Sequence, residues 1–190
     1  HRAIDVQALG ADWYVYSTYK VFGPHMGALF GTNEALAELE GPNHFFIPSS
    51  EVPYKFELGG ASHEGCAALL ALWKYLAPIG GADPADEPKR GAIEAAYAHF
   101  EILEETLQAR LLDYLNGRSD IRLIGPATAG PQRVATVSFV HEKKRSADIV
   151  RTINAEHIGI RFGHFYAYRL CDRLSREGVL HEAADGVVRT

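Results

Sequence analysis

Apolar positions along this chain switch repeatedly between a two-residue and a three-to-four-residue period, and the switches divide it into elements. Trp13 to Ser17 and Gly27 to Gly31 are short runs rich in β-formers and bounded by Gly and Pro, which predicts two strands flanking a turn. Asn33 is placed to cap a short helix through Leu39. From Gly41 to Tyr54 the prolines Pro42, Pro48 and Pro53 interrupt a stretch without period, which predicts a loop, and loops of this length in compact domains are often functional. Ser62 is a capping candidate for a helix over about Glu64 to Leu76, so apolar that burial on most sides is expected.

The stretch from Pro78 to Pro88, with Gly80-Gly81 and three prolines, ends that pattern, and a domain hinge is expected there. Ile93, Ala96, Tyr97, Phe100, Leu103, Leu107, Leu111 and Leu115 then follow helical spacing, predicting a long amphipathic helix from about Asp86 to Asn116 that Asn116-Gly117 closes. Strands are predicted at about Ile121 to Ile124, Arg133 to Val140, Ile158 to Phe162 and Gly186 to Arg189. Helices are predicted at about Ala147 to His157 and Tyr166 to Arg176. Alternation of this kind predicts a small α/β domain. The expected division is therefore residues 1–80 and residues 81–190.

Nearly half of the 190 residues are apolar and the formal net charge is −5, which allows a substantial core and offers no electrostatic footprint for nucleic acid. The basic cluster Lys143-Lys144-Arg145 lies beside turn-forming residues and reads as a solvated loop. No apolar window is long enough to cross a bilayer and no leader pattern is present, so neither nucleic acid nor a membrane is expected as a partner, and a cytoplasmic location is. Cys66 and Cys171 lack the number and spacing of a disulfide framework or a zinc site and read as free buried thiols. His63-Glu64 has no second histidine at helical spacing and reads as a helix start, while His157, His164 and His181 are too scattered for a metal site. The opening at His1 without methionine, and the close in the strand-like run Val187-Val188-Arg189-Thr190, lead us to expect a fragment of a longer protein.

Chemistry concentrates between Asp12 and Gly27. There an aromatic and β-branched run ends in Ser17, with Lys20 three residues later and the turn formers Gly23-Pro24 next. An ammonium at the lip of a buried strand is expensive to desolvate. The same desolvation makes the neutral amine a nucleophile towards aldehydes, most commonly for a Schiff base with pyridoxal phosphate.

The pattern Ser17-x-x-Lys20-x-x-Gly23-Pro24, preceded by Asp12, resembles the cofactor-lysine motif of the class V aminotransferases, a family that includes cysteine desulfurases and selenocysteine lyases. It is most similar to the cysteine desulfurase-like subgroup. The resemblance implies an α/β fold of the fold-type-I pyridoxal-phosphate transferase class. Residues 1–80 would then be the end of the large cofactor-binding domain and residues 81–190 the small domain. It further implies pyridoxal 5'-phosphate as cofactor, an amino acid as substrate and a homodimer with sites at the subunit interface. Lys20 would be the aldimine lysine and the base at Cα, and Ser17 a donor to the cofactor phosphate.

Phe56-Glu57-Leu58-Gly59 resembles the family segment "E-x-G-T", which reaches the phosphate across the dimer interface, but Gly60 stands where the threonine usually does. Backbone donors of Gly59 and Gly60 and the Ser62 hydroxyl remain, ahead of a helix whose free N–H groups can hold an anion. Without the resemblance the same residues read equally well as a glycine turn with a capping serine. Arg189 aligns with the family arginine that takes the substrate α-carboxylate bidentately. His25 is either a cleft residue against substrate or a turn histidine.

One segment departs from the family. Gly159 to Ala167 resembles the desulfurase pattern "R-x-G-x-x-C-A", but Tyr166 occupies the position of the cysteine that attacks sulfur. A phenol, with an ordinary pKa of about 10, forms no persulfide. Cys171, five residues on in a predicted helix, is expected to pack as a small hydrophobe. Arg161 serves either substrate or a structural ion pair. The reading is a pyridoxal-phosphate enzyme with lyase or aminotransferase chemistry (transamination, elimination or epimerisation), and the alternative is a non-catalytic scaffold that retains the fold. Joint retention of Ser17, Lys20 and Arg189 argues against the scaffold, and the phosphate donors around Lys20 disfavour an aldolase-like lysine enzyme.

Overall fold

Helices and short antiparallel strands alternate along the chain, and a computed structural model describes residues 2–181 and 185–190 of it. Two compact units result, His1–Glu101 and Ile102–Thr190.

In the first unit, β1 (Trp13–Ser17) and β2 (Gly27–Gly31) form the expected hairpin, with Trp13 opposite Gly31 and Ser17 opposite Gly27. A 3-10 turn over Thr18–Val21 follows β1. The strands are not buried: the cross-strand pair Val15 and Leu29 is 70% and 61% exposed. A two-stranded ladder has no third strand, and no layer of the described residues covers that face. Helix α1 (Asn33–Glu38) is capped one residue earlier than expected. Thr32 accepts from the Ala35 amide at 3.2 Å, because the cap must keep extended backbone while Asn33 is already helical.

Ser62 caps α2 (His63–Ile79) as expected, accepting from the Gly65 amide at 3.2 Å. The helix is less buried than its composition predicts. Gly65, Trp73, Leu76 and Ala77 are buried, whereas Leu70 is exposed. One packing face cannot cover an apolar surface that runs most of the way round. The core of this unit gathers Leu76, Ala96 and Tyr97, with Val21, Leu72, Ile93 and Phe100 packed against them.

Helix α3 (Arg90–Asn116) starts later than its apolar spacing suggests, after turns through Asp83–Asp86. Its stripe is not continuous. Ala96 and Tyr97 serve the first core and Leu112 and Leu115 a second one, while Leu103 and Leu107 between them are exposed.

The second unit is built on a four-stranded antiparallel sheet of β3 (Ile121–Ile124), β4 (Ser138–His141), β5 (Arg161–Gly163) and β6 (Val187–Arg189), ordered β3-β4-β6-β5. Strands alternate sides residue by residue. Phe139 and Val188 therefore face a core with Leu112, Leu115 and Val150, while Val140 and Val187 face another with Cys171 and Leu174. The core around Cys171 and Leu174 is closed by α5 (Tyr168–Arg176), the one around Leu112, Leu115 and Val150 by α3 and α4 (Ser146–Ala155). Three strands are shorter than predicted because only residues with a ladder partner count. Arg133 to Thr136 precede β4 without a ladder partner, Val137 bonds only to Thr190 past the end of β6, and His157, at φ 60°, turns the chain before β5. Asp185, nearly buried, accepts from the Ser146 amide at 2.7 Å and so caps α4 from across the unit.

Candidate functional site

The turn that carries Lys20 is organised by its neighbour Thr18, which is completely buried. The Thr18 amide donates to the Met26 carbonyl at 2.9 Å, and its hydroxyl lies against the carbonyls of Pro24 and Met26. Gly23 returns a bond from its amide to the Thr18 carbonyl at 2.9 Å, and a Cβ on Gly23 would come equally close to that oxygen, so only glycine fits without movement. Phe22, at φ 69°, then packs against the rings of Tyr75 and Phe100. The turn is thus locked from both ends, and Lys20 is carried on its outside.

Lys20 is exposed, which corrects the expectation of a lysine at the lip of a buried strand. Its Nζ lies 5.2 Å from the centroid of Tyr19, whose ring stacks on His25 at 5.0 Å. His25 is therefore a neighbour of Lys20 through Tyr19. Ser17 is half-buried at the end of β1 and precedes the 3-10 turn without making a side-chain cap bond, so its hydroxyl is uncommitted there. Thr18 escaped the sequence reading. The available signal was a second hydroxyl beside Ser17, immediately before a turn that needs its carbonyls gathered.

The start of α2 lies against this hairpin. Gly65 is buried, and a Cβ on it would overlap the Met26 sulfur, so the helix approaches the residue after His25 through a glycine. Ser17, Lys20 and His25 are consequently brought together on one turn, with Ser62 tied to it through the Gly65–Met26 contact. Gly59 and Gly60 are exposed, and no atom lies within 4 Å of where a Cβ would stand on either. Among the described residues no close contact explains their being glycine, and their backbone N–H groups have no backbone acceptor.

Lys55 was not singled out in the sequence, yet it is the most deeply buried cation of the unit, 2% exposed. Its Nζ donates to the Leu36 and Leu39 carbonyls, closing the C-terminal end of α1.

The second unit holds the remaining candidates. Arg189 is half-buried, with its guanidinium carbon 3.8 Å from the centroid of Phe165, a stacking that fixes the guanidinium plane. Phe165 and Tyr166 lie at φ 47° and 63°, and the Tyr166 amide donates to His164 Nδ1 at 3.2 Å. The Tyr166 side chain is fully exposed. Cys171 is buried in α5 among Val140, Leu174 and Val187, as expected, and burial pushes its thiol pKa up. Cys66 is exposed, contrary to the expectation of two buried thiols, because α2 packs through Trp73, Leu76 and Ala77. Among the described residues no group of His, Cys, Asp or Glu could hold a metal ion, and no helix is long and apolar enough to cross a membrane.

A profile of the family described as Aminotransferase class-V matches residues 1–189. An aminotransferase-like protein of Gibberella zeae is 39% identical over the whole chain, which covers 43% of that protein. A cysteine desulfurase-like protein of Aspergillus flavus is 30% identical, again over the whole chain and 40% of the relative. The chain thus spans about two-fifths of the length of these relatives. Among solved structures, a cysteine desulfurase of Escherichia coli superposes with a TM-score of 0.68 at 24% identity, over 98% of this chain and 42% of that one. The fold is accordingly the α/β fold of the fold-type-I enzymes.

Proposed function

We propose, from the premise that this chain belongs to the class V aminotransferase family, that it carries the cofactor lysine and part of the phosphate cradle of a pyridoxal-phosphate enzyme acting on an amino acid. The observation that carries the reading is the Thr18-locked turn, which presents the Lys20 amine outward beside the uncommitted Ser17 hydroxyl. Those residues fit the group by the chemistry of their donors. Lys20 supplies the amine that tethers an aldehyde, and Ser17 supplies a hydroxyl for its phosphate. Gly59 and Gly60 offer uncovered N–H groups, and Ser62, whose oxygen already accepts from Gly65, keeps its proton to donate. The bound cofactor supplies an electron sink for the pair left at Cα.

Lys20 Nζ holds and returns the α-proton, and His25, stacked on Tyr19, borders the substrate. Arg189, held flat by Phe165, takes the α-carboxylate in a two-pronged grip that excludes the neutral and cationic ends of other metabolites. Tyr166 cannot take up sulfur, so the reaction is transamination, elimination or epimerisation rather than persulfide formation. The reading includes a cytoplasmic homodimer in which the open backbone at Gly59 and Gly60 serves the neighbouring subunit's cofactor. The phenol at position 166 and glycine at position 60 are also what a non-catalytic scaffold would tolerate.

An absorbance scan of the full-length protein after incubation with pyridoxal phosphate, beside Lys20→Ala, separates these readings. A visible band that borohydride converts into a stable pyridoxyl label on Lys20, absent from the variant, is the expected result. If both proteins stay colourless and unlabelled, the scaffold reading replaces the enzyme.

A further inference from the structure

In the β5–β6 ladder Arg161 stands directly opposite Arg189. Such partners project from the same sheet face with their Cβ atoms roughly 5 Å apart, and two like charges placed there repel. Several other arginines of this unit, though not Arg110, Arg122 or Arg169, are matched to carboxylates among the described residues: Arg118 to Asp120, Arg151 to Asp148, Arg173 to Glu177 and Arg176 to Asp172. The Arg161–Arg189 pair has no carboxylate among the described residues. Arg161 donates to the adjacent Ile160 carbonyl at 3.2 Å, and Arg189 lies on the Phe165 ring. The row continues through Ser138 opposite Arg189 and Ile124 opposite Ser138, adding a hydroxyl and no negative charge.

A sheet face that sets two arginines and a hydroxyl in one row, with no acid beside them among the described residues, is complementary to a ligand with two negative groups. From this juxtaposition, and resting on the amino-acid reading above, we infer that Arg161 and Arg189 form a two-carboxylate subsite and that the substrate is an amino acid with a second acid group on its side chain. Arg189, its plane fixed by Phe165, takes the α-carboxylate. Arg161, exposed and able to turn its free donors along the row, takes the side-chain acid. Two arginines whose Cβ atoms stand roughly 5 Å apart can reach the two ends of a short di-acid, and a mono-acid leaves Arg161 to water.

Calorimetric titration of the full-length protein with succinate, butyrate and inorganic phosphate tests this without requiring turnover. Succinate is expected to bind about tenfold or more tighter than butyrate, the difference one charged hydrogen-bonded group makes. Arg161→Gln should erase that preference by weakening succinate far more than butyrate, and an unchanged circular-dichroism spectrum and urea midpoint show that the variant is folded. Arg161→Lys should keep part of the preference, and Arg189→Gln should weaken both acids. Equal binding of succinate and butyrate by the unmodified protein, a succinate preference that survives Arg161→Gln, or phosphate binding tighter than succinate overturns the inference. Failure of the cofactor reading is told apart by the Lys20 label. A succinate preference in a protein that takes up no cofactor leaves the two-arginine site standing, and a labelled Lys20 without the preference removes this inference alone.

Discussion

Gly186 is packed against Gly163 so closely that a Cβ on Gly186 would overlap the Gly163 carbonyl group. Both adopt positive φ, 59° and 134°, and the contact joins the loop of His164, Phe165 and Tyr166 to the start of the strand that carries Arg189. Because the obstacle is backbone, it cannot swing aside as a side chain would. Gly186→Ala should therefore lower stability by roughly 2–4 kcal/mol through strain and overpacking. Gly59→Ala, with open space at its Cβ, should stay within about 0.5 kcal/mol. Urea-unfolding midpoints of the two variants check the contrast, and equal midpoints would contradict it.

Lys55 ties α1 to the proline-interrupted stretch before it by donating to the Leu36 and Leu39 carbonyls. Gly41 sits so near the Lys55 carbonyl that a Cβ there would overlap it, so the loop closes on itself at this lysine. Lys55→Met keeps the apolar stem and removes the donors. The expected loss is about 1–3 kcal/mol, with faster limited proteolysis between Gly41 and Tyr54 than in the unsubstituted protein. Unchanged proteolysis would mean that the loop is held by other contacts.

Elements whose cause is local were legible in the sequence. The hairpin limits follow from β-formers ended by Gly and Pro, and Ser62 is a cap because its hydroxyl precedes a helical period. What escaped depends on partners far along the chain. Lys55 looks like any loop lysine until α1 turns its last carbonyls towards it. Arg161 offered a choice between substrate and ion pair that only the register of two three-residue strands narrows. The stripe of α3 was read as one face, although Leu103 and Leu107 meet neither core. At the site, the motif gave Ser17 and Lys20 their positions but mistook the burial of the strand before them, since spacing reports which residues alternate and not what covers them.

Asp120 accepts from Arg118 at 2.9 and 2.6 Å, and this hydrogen-bonded guanidinium holds its carboxyl below the ordinary carboxylate range. A carboxyl depressed in the folded state stabilises the fold above its unfolded value, and the contribution is lost as pH falls through the folded one. Asp120→Asn should therefore lower stability in the neutral region while leaving the acid end little changed, so that the acid limb of the profile flattens. Urea midpoints taken from about pH 6 down to about pH 3 check the sign, across the range in which carboxylates titrate. A variant with the same acid limb as the unsubstituted protein would assign the acid sensitivity elsewhere.

The two thiols should behave as different chemical groups. Cys171 is 2% exposed, and burial raises its pKa, which keeps the thiolate scarce at neutral pH. Cys66 is exposed on α2. Since the thiolate is the nucleophile, a thiol reagent under native conditions should label Cys66 first and reach Cys171 only as the protein unfolds. The raised value also has a sign for stability. The protonated thiol is favoured in the fold, so its contribution is present below the unfolded thiol pKa and declines as pH rises through the folded one. Peptide mass mapping after timed alkylation measures both sites at once. Rapid native labelling of Cys171 would contradict its burial among Val140, Leu174 and Val187 and show a reachable thiolate five residues from Tyr166.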